Sequence, residues 1–123
     1  IQLPNNLAVG EWHRDRSYRN AEWAKHVQEL NYFLPITSAV NTNTIWVESD
    51  EEAESYIPMN AEYGECIQWD ASNRLHGNKE NIENQTRISL DFRVIELKNY
   101  LPSVHGSINT DTKFSVGGYY DVI

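Results

Sequence analysis

The sequence has a single cysteine and no long hydrophobic run, and each shortage excludes a class of protein. Cys66 has no partner for an internal disulfide, so a reducing cytoplasm is the expected location. No apolar stretch approaches the roughly 18 residues of a membrane-spanning helix, and the mean hydropathy is −0.62. We therefore expect no membrane partner.

Basic residues are also scarce. Ten Lys and Arg stand against 18 Asp and Glu, which gives a formal net charge of −8. Because a surface that binds nucleic acid needs a basic patch, nucleic acid is not an expected partner. The densest acidic stretch, residues 48–54, is typical of a solvated loop or helix start. A patch for a cationic substrate is the alternative interpretation.

The chain is long enough for one domain with a hydrophobic core, because 40% of its 123 residues are hydrophobic. Short β-type segments, separated by turn residues, are predicted at 7–13, 29–35, 43–48, 66–69, 75–76, 86–97 and 113–123. Only 21–28 and part of 51–55 are compatible with a helix. The pattern predicts a mainly all-β fold with little helix, either a sandwich or a jelly roll.

A histidine and a carboxylate lie two residues apart in segment 10–16, Gly-Glu-Trp-His-Arg-Asp-Arg. On an extended segment, residues i and i+2 point to the same face, so His13 and Asp15 can converge on one point. Two histidines and one carboxylate form the facial triad of non-haem Fe(II) oxygenases, and this pair would supply two of those ligands. A His–Asp hydrogen bond in a polar turn is the alternative.

The clearest predicted strand, residues 86–97, has a polar face that could complete such a site. Alternation with period two places Ile88, Leu90, Phe92 and Val94 on one face and Arg87, Ser89, Asp91 and Arg93 on the other. A surface strand shows the same pattern with its charged face in water. Inside a barrel, however, Arg87 could hold a ligand carboxylate bidentately, with Ser89 as a second donor.

A third ligand candidate, His76, precedes Arg87 in the chain. A lone histidine is more often structural than a ligand. Here His13, Asp15, His76 and Arg87 occur in the order that a metal triad followed by a carboxylate anchor requires, and each lies at the end of a predicted strand. Together they predict a metal site.

This combined motif resembles the Fe(II)- and 2-oxoglutarate-dependent oxygenases, on the phytanoyl-CoA dioxygenase-like side, and the oxygenase-like proteins of streptomycin biosynthesis. Members carry His-x-Asp, a distal His, an Arg beyond it and often a Ser two residues after the Arg. Residues 30–36, 44–49, 75–78 and 87–93 add to the likeness. The resemblance covers residues 8–97 and implies a double-stranded β-helix, the jelly-roll or cupin-like fold.

By this resemblance, His13, Asp15 and His76 bind Fe(II), and 2-oxoglutarate is the cosubstrate that reacts with O2. Arg87 and Ser89 would bind the distal carboxylate of 2-oxoglutarate. Asn31 would contact its keto-acid end, although a core amide paired with backbone is the other interpretation. The implied enzyme is a dioxygenase that hydroxylates or otherwise oxidises a small polar metabolite, with release of succinate and CO2.

Family members usually have a further N-terminal part whose helices cover one sheet, and residues 1–123 are expected to form a single domain, the core without that extension. The apolar face of residues 88–94 would then need cover from elsewhere, and a homodimer is one expected solution.

Other interpretations stay open. A cupin-like metal-binding protein or isomerase would use the same three ligands without 2-oxoglutarate, and Arg87 and Ser89 argue against it. A non-catalytic module or a structural jelly roll that kept only the fold would show no turnover.

Overall fold

The computed structural model describes residues 1–8, 11–18, 29–51, 53–103, 105–106 and 112–123. Short strands dominate them: β1 (Glu29–Pro35), β2 (Ile45–Glu48), β3 (Tyr56–Pro58), β4 (Ile67–Trp69), β5 (His76–Asn78) and β6 (Ser89–Ile95). Helical structure in these residues consists of three single 3-10 turns, Asp15–Tyr18, Asn41–Asn43 and Leu97–Asn99. The predicted mainly β class with little helix is confirmed.

The strands form two antiparallel sheets of three strands each, in the orders β4-β1-β6 and β3-β2-β5. Along β1, residues alternate between buried and more exposed positions, as expected for a strand with one face on a core. The long pairing of β1 with β6 runs from Glu29 opposite Ile95 to Pro35 opposite Ser89. The second sheet places His76 opposite Val47.

The hydrophobic core draws on both sheets. Phe33 of β1, which is fully buried, joins Ile45 and Val47 of β2 in one cluster. Ala39, Met59 and Ala61 complete this cluster, and Ile67 and Trp69 of β4 pack against it. The cluster therefore packs the two sheets against each other, and Ile45 and Trp69 also line the cavity described below.

Several sequence predictions were wrong in their local structure. Residues 113–123 form turns and isolated bridges rather than a strand, since Gly117 has a φ of +79°. The described residues of 51–55 are not helical, and β3 starts within the acidic connector where no strand was predicted. The predicted helix at 21–28 lies outside the described residues. None of the helices in the described ranges is long and apolar enough to cross a membrane.

Candidate metal centre

Backbone hydrogen bonds bring the two histidine segments side by side. The His13 N–H donates to the His76 carbonyl over 2.9 Å, and the His76 N–H donates to the His13 carbonyl over 3.0 Å. This isolated antiparallel bridge adds the His13 segment to the edge of β5. The Asp15 N–H forms a separate bond of 3.0 Å with the Ala71 carbonyl.

Asp15 reaches the site in a different way from the one its spacing predicted. It begins the 3-10 turn Asp15–Tyr18, so His13 and Asp15 do not share one face of a strand. The turn nevertheless directs the carboxylate towards the histidines, since Asp15 Oδ1 lies 3.5 Å from His13 Nε2 and 3.7 Å from His76 Nε2. The two residues therefore converge as expected, through a strand-to-turn junction.

The three side chains form a compact set of potential ligands. Their candidate ligand atoms all lie within 4.8 Å of one another, and Asp15 and His76 are buried. His13 Nδ1 lies 2.8 Å from the Glu11 carbonyl, and His76 Nδ1 lies 2.9 Å from the Arg74 carbonyl. Because a carbonyl only accepts, these bonds place a proton on Nδ1 of each ring. Nε2 of both rings faces Asp15 and is the atom that could bind a metal.

Arg93 of β6 holds the other oxygen of the Asp15 carboxylate. Its Nη2 donates to Asp15 Oδ2 over 2.6 Å, and its Nη1 donates to the Tyr119 hydroxyl over 2.8 Å. Burial acts to raise the pKa of Asp15, but the contact with His13 and the charge of Arg93 outweigh it and hold the pKa below its ordinary value. The Asp15 carboxylate is therefore ionised, and its hydrogen bond with Arg93 orients it.

The two histidines differ in their affinity for protons. The hydrogen bond with Asp15 raises the pKa of His13 above its ordinary value, although partial burial opposes it. Burial lowers the pKa of His76, against the influence of the Arg74 carbonyl and Asp15. A proton therefore competes with a metal more strongly for His13 than for His76.

The triad opens into a cavity of about 380 Å³ between the sheets. The polar side chains of β6 line it, as the inward assignment of the strand predicted, together with Asn31 and Asn78. The structure thus brings every predicted site residue to one cavity: His13, Asp15, His76, Arg87, Ser89 and Asn31. This grouping is a geometric finding, and their roles remain predictions.

Arg87 is a buried guanidinium that has no hydrogen-bonded carboxylate among the described residues. Its side chain donates to Ser89 Oγ over 2.9 Å and to Gln2 Oε1 over 3.5 Å, and its Nε has no partner in the described part of the chain. Burial lowers the pKa of Arg87, which is only 4% exposed. Asn31 Oδ1, also buried at the cavity, likewise has no hydrogen-bond partner among the residues that the structure describes. Both groups are suited to a polar ligand.

Aromatic side chains support the ligand segments from behind. The Trp12 ring lies against Gly77, where an added Cβ would come within 2.7 Å of the indole. Trp69 packs edge-on against the His76 ring at a centroid distance of 4.8 Å and also lines the cavity. Glycine at position 77 therefore permits the close approach of the His13 segment to β5.

Sequence reasoning missed several residues around the site. The period-two pattern had placed Arg93 on the polar face, but its contact with Asp15 was not predicted. Gln2, Glu48 and Tyr119 act through contacts with distant parts of the chain, and no local signal marks them. Glu48 corrects the interpretation of 48–54 as a solvated stretch, because it is 2% exposed, whereas Asp50, Glu51 and Glu54 are exposed.

Comparison with known proteins gives one informative match. No protein-family model matches the chain, and no solved structure matches it. The streptomycin biosynthesis protein StrG of Streptomyces griseus is 39% identical to it over 123 residues. This match covers all of the chain and 56% of StrG, so the chain spans a little over half the length of that relative. The chain is therefore similar to a protein that is named for a biosynthetic pathway.

Proposed function

We propose that the chain is the metal-binding part of a biosynthetic enzyme, in which His13, Asp15 and His76 hold one divalent cation. The observation that carries this proposal is the donor set itself, two imidazole nitrogens and one carboxylate oxygen within 4.8 Å. Mixed nitrogen and oxygen donors suit Fe(II) and its divalent neighbours. The carbonyl bonds to both Nδ1 atoms supply the orienting contacts that metal-bound histidines commonly have.

The framework is proposed to be cupin-like, the double-stranded β-helix. Two antiparallel sheets that face each other across a core, with the site in the space between them, support this assignment. The similarity to StrG supports a role in the biosynthesis of a small molecule. A small polar metabolite suits the cavity, because amide, hydroxyl and charged side chains line much of it.

Two reaction classes use such a centre. A cupin-like metal enzyme such as an isomerase needs only the three ligands, and the triad with its orienting contacts supports this class directly. Within it, a divalent metal would supply Lewis-acid chemistry. Asn31 and Asn78 would orient the substrate through hydrogen bonds, and Trp69 would exclude water from one wall of the cavity.

The second class is a 2-oxoglutarate-dependent oxygenase, and the surroundings of Arg87 favour it. A guanidinium in a buried position normally has a carboxylate partner. Arg87 lines the same cavity as the triad, where the charge of Asp91 acts on it, but no carboxylate of the described residues is hydrogen-bonded to it. The distal carboxylate of 2-oxoglutarate would satisfy it, with Ser89 as a second donor and Asn31 near the other end. Bound Fe(II) and 2-oxoglutarate would supply oxidation by O2, with release of succinate and CO2.

Anaerobic titration with Fe(II) and then 2-oxoglutarate tests both the proposed metal site and the choice between the two reaction classes. For an oxygenase we expect Fe(II) binding followed by a weak visible charge-transfer band. Arg87→Ala should weaken 2-oxoglutarate binding by more than about thirtyfold, because a buried charged contact contributes about 2 kcal/mol or more. The same substitution should leave Fe(II) affinity nearly unchanged. Arg16→Ala, outside the cavity, serves as the control.

The outcomes separate the two classes. Fe(II) binding without any band or 2-oxoglutarate affinity would reject the oxygenase and leave the cupin-like metal enzyme. Absence of metal binding by the unchanged chain, with no difference after His76→Ala, would reject the metal centre altogether.

A further inference from the structure

We propose that Glu48, through its ion pair with Arg14, is a positioning residue that sets the metal affinity of the candidate centre. This inference rests on the proposed metal site and concerns residues that contact none of its ligand atoms. Arg14 lies between His13 and Asp15 in the chain, and Leu75 directly precedes His76. One buried carboxylate holds both segments, and its contacts explain how.

The Arg14 side chain is anchored at two places. Its Nη2 donates to both oxygens of Glu48, over 2.8 and 2.7 Å, and its Nε donates to the Asn73 carbonyl over 2.7 Å. Glu48 is 2% exposed. Charge-assisted hydrogen bonds in a buried position are strong and directional, so this arrangement fixes the backbone of residue 14.

Glu48 also holds the other ligand segment. Its Oε2 accepts a hydrogen bond of 2.7 Å from the Leu75 N–H, and its own N–H donates to the Leu75 carbonyl over 2.9 Å. Leu75 is thus bound from β2 by both a side chain and the backbone. The same carboxylate therefore connects the residue before His76 with the residue between His13 and Asp15.

This arrangement has a direct consequence for ligand geometry. His13 and His76 reach the centre from distant parts of the chain, and their mutual backbone bonds are an isolated bridge rather than a continuous ladder. An isolated bridge opens easily, and Glu48 ties the two segments together next to it, at Arg14 and Leu75. Preorganised ligands bind a metal more tightly because less ordering remains to be done on binding.

The chain contains a matched control for this pair. Arg16 and Glu51 form a second Arg–Glu contact on the same stretch, with Arg16 Nη1 3.0 Å from Glu51 Oε1. The side chains of this pair are 35% and 50% exposed, against 21% and 3% for Arg14 and Glu48. Exposed ion pairs contribute little to stability. Glu51→Gln therefore removes the same charge as Glu48→Gln but should leave the positions of the candidate ligands unchanged.

The test is calorimetric titration of the chain with Co(II), for the unchanged protein and for Glu48→Gln, Glu51→Gln and His76→Ala. We expect Glu48→Gln to weaken Co(II) binding by about tenfold or more, the usual cost of losing an outer contact of a metal site. Glu51→Gln should change it by less than about twofold. A folded Glu48→Gln variant that binds Co(II) as the unchanged protein does would overturn the inference while leaving the metal site intact.

The double variant Arg14→Met/Glu48→Met separates positioning from fold stability. It leaves no buried charge unpaired, so the fold is expected to tolerate it, yet it lacks the contacts to Leu75 and Asn73. Its Co(II) affinity should fall while its unfolding midpoint in urea stays close to that of the unchanged protein. Unaltered affinity in this variant would also overturn the inference.

A measurement on the unchanged protein covers the case in which the variants fail to fold. Without metal, the Leu75 and His76 amides should exchange hydrogen as slowly as those of β1 and β6, because Glu48 holds them closed. Rapid exchange there, slowed only when Co(II) is added, would mean that the metal and not Glu48 orders the segment. Absence of Co(II) binding by the unchanged protein would instead reject the proposed function.

Discussion

The two faces of β6 are opposite in character to those of an ordinary surface strand. Its inward face, continued from Arg87, carries Ser89, Asp91 and Arg93 towards the cavity. Its outward face carries Leu90, Phe92 and Val94, which are 56%, 41% and 43% exposed. In most antiparallel sheets the apolar face is buried and the polar face is in water. Here the inward residues are polar and line the candidate site, whereas the outward face is apolar and exposed.

The neighbouring strand β1 extends the comparison. Inward, Phe33 is fully buried and Asn31 is 3% exposed; outward, Leu30 is 41% exposed. The outward Tyr32 ring stacks on Phe92 at a centroid distance of 5.1 Å. One apolar surface thus covers both strands, which is more than isolated surface hydrophobic residues provide. The homodimer expected from the sequence would cover it and stays a prediction.

Substitutions on opposite faces of this sheet should give the largest difference in the free energy of unfolding. Phe33→Ala should lower the free energy of unfolding by about 3–5 kcal/mol, since it leaves a cavity in the core. Leu90→Ala should cost less than about 1 kcal/mol, because its side chain is largely exposed. Urea denaturation of both variants measures the difference. Equal losses would mean that the outward face is already packed in the isolated chain.

A smaller effect on the free energy of unfolding is expected when the charge of Arg93, which faces the triad from the inward side of β6, is removed. Arg93→Met removes the partner of Asp15, a carboxylate that is 5% exposed, and should destabilise the metal-free protein by about 3 kcal/mol. A bound divalent cation should restore much of this loss, because it supplies positive charge to the same carboxylate. Urea denaturation with and without Zn(II) measures both changes. Arg93→Lys, which keeps the charge, should show an intermediate loss.

The smallest expected effect is the pH dependence of metal affinity. It also distinguishes the two faces of β6, because the triad and its charged partners lie on the inward side. The pKa of His13 is raised, so lowering the pH adds a proton to it first, and metal affinity should fall by about tenfold per pH unit below that pKa. His76, whose pKa is lowered, should add a second proton only at more acidic pH. Co(II) titrations from about pH 8 to pH 5.5 measure this profile. Leu90→Ala should leave it unchanged, and a flat profile would contradict the assignment of His13.

Local patterns predicted the parts of the fold that depend on local chemistry. The apolar run ending at Pro35 gave β1 with the bounds that the structure has, and alternation in 86–97 gave β6 apart from its ends. β3 was missed because acidic residues precede Tyr56–Pro58 and only pairing with β2 makes it a strand. The 113–123 prediction was wrong because hydrophobic residues flank a turn at Gly117.

In the candidate site, too, some residues could be predicted from local patterns and others could not. His13-x-Asp15 and the inward face of β6 are local patterns, so sequence reasoning found them. The bonds of Arg93 to Asp15 and of Gln2 to Arg87 join residues far apart in the chain, and such pairs follow only from the tertiary fold. Glu48 was misjudged for that reason, since its acidic neighbours are exposed and its own environment is set by Arg14 and Leu75.

The bridge between His13 and His76 has a consequence for how the protein folds. Its two strands are separated by roughly sixty residues, and contacts of such long sequence separation form slowly because a large loop must close first. We therefore expect the three candidate ligands to come together late in folding, after the shorter-range pairing of β2 with β5. If the centre binds metal, the rate at which the chain acquires Co(II) during refolding should then follow the closure of this bridge.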